Sequence, residues 1–171
     1  MAIRCQLDTL DDTKIAAACL VGLFAGSMQD AQTICLRGSL GAGKSELARH
    51  VISCLCDVDS ADIPSPTFTL VQHYQTYTGL ELWHMDLYRL AHRDEVWALG
   101  VEQGFETALC LIEWPDRIAG YLPEDAINIE MAFSGPDNDS RIMHIDSKDK
   151  GWLASLANAF AQAGIAVTHL E

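Results

Sequence analysis

Basic residues are scarce in this chain: 11 lysines and arginines stand against 24 aspartates and glutamates, a formal charge of −13. That balance argues against direct gripping of nucleic acid, which needs a basic patch to replace condensed counterions. It leaves room for work on nucleic acid through a partner, and for an acidic face that docks on a basic protein surface. A merely solvated acidic surface fits equally well. No apolar run is long enough to span a bilayer. Met1 to Asp8 contains Arg4 and Asp8 in place of the apolar block of a secretory signal. The six cysteines form no Cys-x-x-Cys pair, and the six histidines (His50, His73, His84, His92, His144, His169) show no short paired spacing. Buried free thiols in a reducing cytosol are therefore expected, with no histidine metal site and no disulfides. No internal repeat, low-complexity tract or linker interrupts the 171 residues. Residues 1–171 are expected to form a single domain with its own core, located in the cytoplasm without membrane contact.

What the chain does have is Gly38-Ser39-Leu40-Gly41-Ala42-Gly43-Lys44-Ser45, which fits the phosphate-binding loop pattern at every fixed position. Thr33 to Arg37 before it is short, apolar and rich in strand formers, whereas Leu47, Val51, Ile52 and Leu55 after it repeat at helical spacing. Glycines let a backbone wrap closely around a polyphosphate with successive N–H groups pointing inward. The helix start adds partial positive charge. Lys44 suits the outer phosphates, and the Ser45 hydroxyl suits Mg²⁺. A bare glycine turn would not need Lys-Ser after its last glycine. The chain is expected to bind a nucleoside triphosphate.

The remaining segments alternate. Ala2 to Leu7 reads as a strand, and Thr9 with Asp12 reads as the cap of a helix with an apolar stripe of Ile15, Cys19, Leu20, Leu23 and Phe24, ending near Gly26. Pro64 and Pro66 stiffen a loop carrying Ser65, Thr67 and Thr69, and strand-like Thr69 to Tyr77 and Leu80 to Asp86 form a hairpin around Thr78-Gly79. Such a hydroxyl-rich loop is similar to those that sense a terminal phosphate in nucleotide switches. Asp94 to Leu99 suggests a short helix, and Ala126 to Phe133 and Arg141 to Asp146 two further strands. Trp152, Leu153, Leu156 and Phe160 mark a final helix, with residues from Gly164 onward expected to fray.

Two carboxylates end apolar strands. Asp86 follows Leu82-Trp83-His84-Met85, a usual place for a Mg²⁺ partner, although a solvated turn aspartate fits this segment equally well. Glu113 follows Leu109-Cys110-Leu111-Ile112 and emerges where α/β ligands sit, able to orient water or a Mg²⁺-bound water. Trp114 beside it divides evenly between packing and function.

Gly38 to Lys44, Ser65-Pro-Thr-Phe-Thr-Leu-Val71, His84-Met-Asp-Leu-Tyr-Arg-Leu90 and Glu113-Trp-Pro115, in this order, resemble the TsaE family of small bacterial P-loop ATPases. The resemblance runs from about Thr9 to Asp146. It implies an α/β fold, a P-loop NTPase-like three-layer sandwich with a mostly parallel central sheet and added antiparallel strands. It also implies slow, partner-coupled ATP hydrolysis with Mg²⁺, in service of the TsaD–TsaB pair that makes threonylcarbamoyladenosine on tRNA. The tRNA itself would be reached only through that complex. Carried over by position, residues Gly38, Ser39, Leu40, Gly41, Ala42, Gly43, Lys44, Ser45 and Glu46 would hold the nucleotide. Thr13 would lie near it, and Ser65 and Thr67 would belong to a nucleotide-responsive switch. Lys44, Asp86, Glu113 and Trp114 would be catalytic, and Ser45, Asp86 and Glu113 would serve Mg²⁺.

Two positions depart from the family's habit: Ser39 stands where Asp is common, and Ser45-Glu46 where two threonines are common. Ser45 keeps the hydroxyl. Glu46 puts an acid near the phosphates, although a helix N-terminus tolerates one. Two rival readings are a small nucleoside or metabolite kinase and a non-hydrolysing nucleotide-gated binding module. An arginine-rich lid is missing, with Arg89 and Arg93 the nearby candidates, which disfavours the kinase. The absence of Asn-Lys-x-Asp disfavours a GTPase.

Overall fold

The computed structural model describes residues 2–24, 32–92, 95–135 and 140–170. In chain order the strands are β1 (Ala2–Leu7), β2 (Gln32–Arg37), β3 (Val71–Gln75), β4 (Glu81–Asp86), β5 (Ala108–Glu113), β6 (Ile127–Phe133), β7 (Arg141–Asp146) and β8 (Ala166–Leu170). The helices are α1 (Leu10–Phe24), α2 (Lys44–Cys56), α3 (Glu95–Ala98), α4 (Val101–Thr107) and α5 (Lys150–Gln162). All eight strands join one sheet in the order β3-β4-β5-β2-β6-β7-β1-β8. The central run β4-β5-β2-β6 is parallel; β3 on one flank and β7, β1 and β8 on the other are antiparallel. The expected α/β sandwich is thus present, with helices on both faces.

Alternation along the strands creates the two cores. Ile34 and Leu36 of β2, Leu82 of β4 and Leu109 and Leu111 of β5 pack with α1, α2 and α5. Their neighbours Trp83, Met85, Cys110 and Ile112 turn the other way, onto Val96 of α3 and Val101 of α4. Because β5 is covered on both sides it reads as an unbroken apolar run, as buried parallel strands do. Gly104 in α4 is what lets the Trp83 ring lie flat there: a Cβ at that position would sit 2.8 Å from the ring.

Three local expectations need correcting. The cap of α1 is as expected, with Asp12 N–H donating to Thr9 Oγ1 (3.1 Å) and Thr9 N–H to Asp12 Oδ2 (2.8 Å). Its buried face, however, is Thr13, Ala16, Ala17, Leu20, Val21 and Phe24, with Ile15 exposed. These residues recur at helical i, i+3, i+4 spacing and form one stripe, and Ile15 falls outside it. The predicted end near Gly26, like Asp94 and Arg93, lies outside the described residues. Second, Thr69 and Leu70 belong to a turn in place of the strand start, closed by Leu70 N–H donating to Pro66 O (2.7 Å), with Leu70 at φ 64°. Third, Gly164 turns the chain (φ 86°) into β8, which pairs with the edge of β1. A free antiparallel edge supplies the backbone partners that fraying would forgo.

Candidate nucleotide-binding site

The Gly38–Ser45 loop connects β2 to α2. Gly38, Gly41 and Gly43 all have positive φ (130°, 79° and 105°). Gly38 is doubly constrained, since a Cβ there would stand 2.1 Å from the backbone oxygen of Met131 on β6. Ala42 is buried and Leu40, at the tip, is 74% exposed. The loop is braced from outside: Arg141 of β7 donates from Nε to Ala42 O (3.1 Å) and from Nη2 to Gly41 O (3.4 Å), with its guanidinium over the Phe133 ring. Nothing in the sequence signals that brace, because it crosses about a hundred residues.

Lys44 opens α2. Its Nζ donates to Gly38 O (2.8 Å) and Ser39 O (2.9 Å) and lies 4.1 Å from the centre of the Trp114 ring. Burial pushes its ammonium below the ordinary lysine range, while Glu113 and Asp86 pull it back up. Trp114 itself has left-handed backbone (φ 59°) and stacks obliquely on Tyr88 at 5.0 Å. A non-glycine aromatic in that conformation is strained, and it coincides with the indole lying beside the lysine.

The two acids meet by strand register. Asp86 ends β4 and Glu113 ends β5, directly paired across the parallel ladder, and both are buried. Adjacent strands lie about 4.8 Å apart, so two carboxylates share one sheet edge beside the loop. The Asp86 alternative of a solvated turn residue is excluded. Asp86 Oδ1 accepts from Tyr88 N–H (3.0 Å) and Oδ2 from Thr67 Oγ1 (2.5 Å); Ser65 Oγ joins Thr67 Oγ1 at 2.7 Å. Glu113 Oε2 accepts from Ser45 Oγ (2.6 Å), and Oε1 lies 3.0 Å from His84 Nε2. The sequence reading missed His84, although it sits two residues before Asp86 and so must share its face of β4.

These groups border a cleft of about 460 Å³, lined by Leu40, Gly41, Gly43 to Glu46, Arg49, Thr67, Asp86, Tyr88, Arg89, Glu113 and Trp114. Gly38, Ser39 and the buried Ala42 are not among the lining residues; the Gly38 and Ser39 carbonyls hold Lys44. Ser65 acts one bond removed, through Thr67. Thr13 is buried on α1 and is not among the lining residues. Glu46 borders the cleft, but its carboxylate is drawn along the helix, 3.5 Å from Arg49 Nη1 and 2.9 Å from His50 Nε2 (the latter not aligned as a hydrogen bond). Its charge is therefore partly offset. Ser45, Asp86 and Glu113 offer hard oxygen donors of the kind Mg²⁺ prefers. Mg²⁺ ordinarily completes its shell with water and substrate phosphates and does not need an all-protein cage.

Comparison with known proteins agrees with the motif set. The family described as threonylcarbamoyl adenosine biosynthesis protein TsaE matches residues 8–143. The tRNA threonylcarbamoyladenosine biosynthesis protein TsaE of Rickettsia bellii is 34% identical over 125 residues, 73% of this chain and 84% of that protein. The protein of the same name from Haemophilus influenzae is 38% identical over 99 residues, 57% of this chain and 61% of its own. The crystal structure of Bacillus subtilis YdiB has the same fold, with a TM-score of 0.67 over 95% of this chain and 97% of that one, at 22% identity.

Proposed function

The chain belongs to the TsaE family of threonylcarbamoyl adenosine biosynthesis proteins, and on that premise we propose that it supports tRNA threonylcarbamoyladenosine formation as an ATP-hydrolysing accessory subunit. Its partners in this reading are the TsaD and TsaB proteins, with tRNA engaged only through their complex. The observation that carries the ATPase reading is the convergence of Lys44, Ser45, Asp86 and Glu113 at one cleft, from three separate segments of the chain.

The backbone amides of the Gly38–Ser45 loop and the start of α2 would receive the phosphates. Lys44 would exchange its bonds to Gly38 O and Ser39 O for phosphate oxygens, held in place by the Trp114 ring. Ser45, with Asp86 and Glu113 directly or through water, would hold Mg²⁺, whose charge would stabilise the negative charge that develops on the transferred phosphoryl group. Glu113, anchored in the sheet, is suited to orient the attacking water. Thr67 donates to Asp86, so the Ser65–Thr69 segment would feel any change at that carboxylate. That link offers a route from nucleotide state to a docked partner.

The test is ATP turnover measured with and without purified TsaD–TsaB and tRNA. Stimulation by the complex is expected, together with tighter association in ATP. Glu113→Gln should keep nucleotide binding and lose turnover. Unchanged partner function in that variant would instead favour a binding gate, and no turnover under any condition would reject the enzyme.

A further inference from the structure

We propose that His84 is a positioning residue that sets the rotamer of Glu113 and thereby the turnover step; this deepens the ATPase reading of the same cleft and rests on it. His84 is completely buried, and its Nε2 lies 3.0 Å from Glu113 Oε1. An ionised carboxylate only accepts hydrogen bonds, so Nε2 carries the proton and donates it. The other ring nitrogen, Nδ1, is buried with no hydrogen-bond partner among the described residues.

That orphaned nitrogen is informative. Packing alone would be better served at this position by an apolar side chain, because a buried polar atom without a partner costs stability. His84 stands among strong competitors for such a place: Leu82, two residues earlier on the same face of β4, is a core residue. What histidine supplies and leucine cannot is the N–H aimed at Glu113.

The need arises from the partners of the glutamate. Among the described residues its carboxylate accepts from Ser45 Oγ on Oε2 and pairs with His84 on Oε1. When the Ser45 hydroxyl turns to Mg²⁺, as the reading of the cleft requires, His84 becomes the side chain that still fixes the Glu113 carboxylate. Glutamate has three rotatable side-chain bonds. A misplacement of about 1 Å in a catalytic group can cost about 10²-fold in rate, and loss of the outer partner of a metal-site ligand costs about 10–100-fold in affinity or activity.

The test compares His84→Leu, His84→Gln and His84→Asn. Leucine keeps bulk and removes the donor; glutamine places an amide N–H near the position of Nε2; asparagine is too short. For His84→Leu, kcat for ATP should fall about 10–100-fold, while nucleotide affinity without Mg²⁺ changes less than about 2-fold. His84→Gln should recover most of the lost kcat, and His84→Asn should not. A fall in affinity parallel to kcat, or equal activity in the Gln and Asn variants, overturns the proposal. Should the leucine variant fail to fold, the Gln–Asn comparison decides. A second readout is independent of turnover: side-chain ¹⁵N NMR should show His84 protonated at Nε2, with that preference lost in Glu113→Ala. An Nε2 without a proton in the wild-type protein refutes the positioning bond. Absence of wild-type turnover with the Nε2 proton present refutes the ATPase reading alone.

Discussion

Substituting Gly38 by alanine isolates the tightest backbone approach in the loop. The new Cβ would sit 2.1 Å from Met131 O and 3.3 Å from the Ala42 Cβ, in a backbone at φ 130°. Met131 O belongs to a ladder strand, so it cannot swing aside as a flexible side chain could, and the loop must move by about 1 Å to restore ordinary contact. Unfavourable φ costs about 1–3 kcal/mol, and overpacking about 1–3 kcal/mol more. For a chain of this size each kcal/mol lowers the melting temperature by about 2–4 °C; the expected drop is therefore roughly 4–24 °C. Relief by loop movement would also displace the Lys44 cradle and weaken triphosphate binding by about tenfold or more. Gly79→Ala is the control, because it also has positive φ (90°) but open space around its Cβ. It should show strain without the clash and leave nucleotide affinity unchanged. Thermal unfolding and titration with a fluorescent ATP analogue read both effects. If Gly38→Ala melts like Gly79→Ala and binds like wild type, the close approach to Met131 is not what shapes the loop.

Lys44→Ala removes the cation held by Gly38 O, Ser39 O and Trp114, and should weaken triphosphate binding by about 10–100-fold, in line with loss of a charge-assisted hydrogen bond; unchanged affinity by equilibrium titration would contradict it. Asp86→Asn should raise the Mg²⁺ concentration needed for half-maximal hydrolysis, and a superimposable Mg²⁺ titration would remove Asp86 from that role. Gly22→Ala, within α1 and with nothing within 4 Å of the added Cβ, should stabilise by about 0.5–1 kcal/mol; a lowered melting temperature would show that the helix surface there is not free. Burial pushes the Cys5 and Cys110 thiols up to about 12 and Cys35 to about 11 from 9.0. The unfolded chain therefore ionises first, so their stabilisation is complete below pH 9 and is lost as pH rises towards 11–12, at about 1.4 kcal/mol per unit of difference. Cys110→Ala should flatten the alkaline decline in melting temperature, and curves parallel to wild type would refute that account.

Local signals were legible in the sequence wherever a short stretch carries its own physical reason. The glycines of Gly38 to Gly43 demand positive φ, Thr9 and Asp12 cap a helix reciprocally, and the unbroken apolar run before Glu113 requires a strand covered on both faces. The same logic located both acids at strand ends and the hairpin around Thr78-Gly79. Glu46 was legible as a charge beside the glycine loop, but its pairing towards Arg49 and His50 depended on side-chain packing.

What lay beyond the sequence depends on strand order and register, which are long-range choices. Parallel pairing of β4 with β5 puts Asp86 beside Glu113 and brings His84 within reach of the same carboxylate. Placing β7 two strands from β2 delivers Arg141 to the carbonyls of the loop. The edge of β1 gives Ala166–Leu170 a ladder that its own residues do not require. Thus the amino-acid sequence alone determined which groups this protein can offer a phosphate and a metal, because loop glycines and strand ends are local. Only the tertiary structure decided which of those groups touch one another, since that is set by hydrogen bonding between strands far apart in the chain.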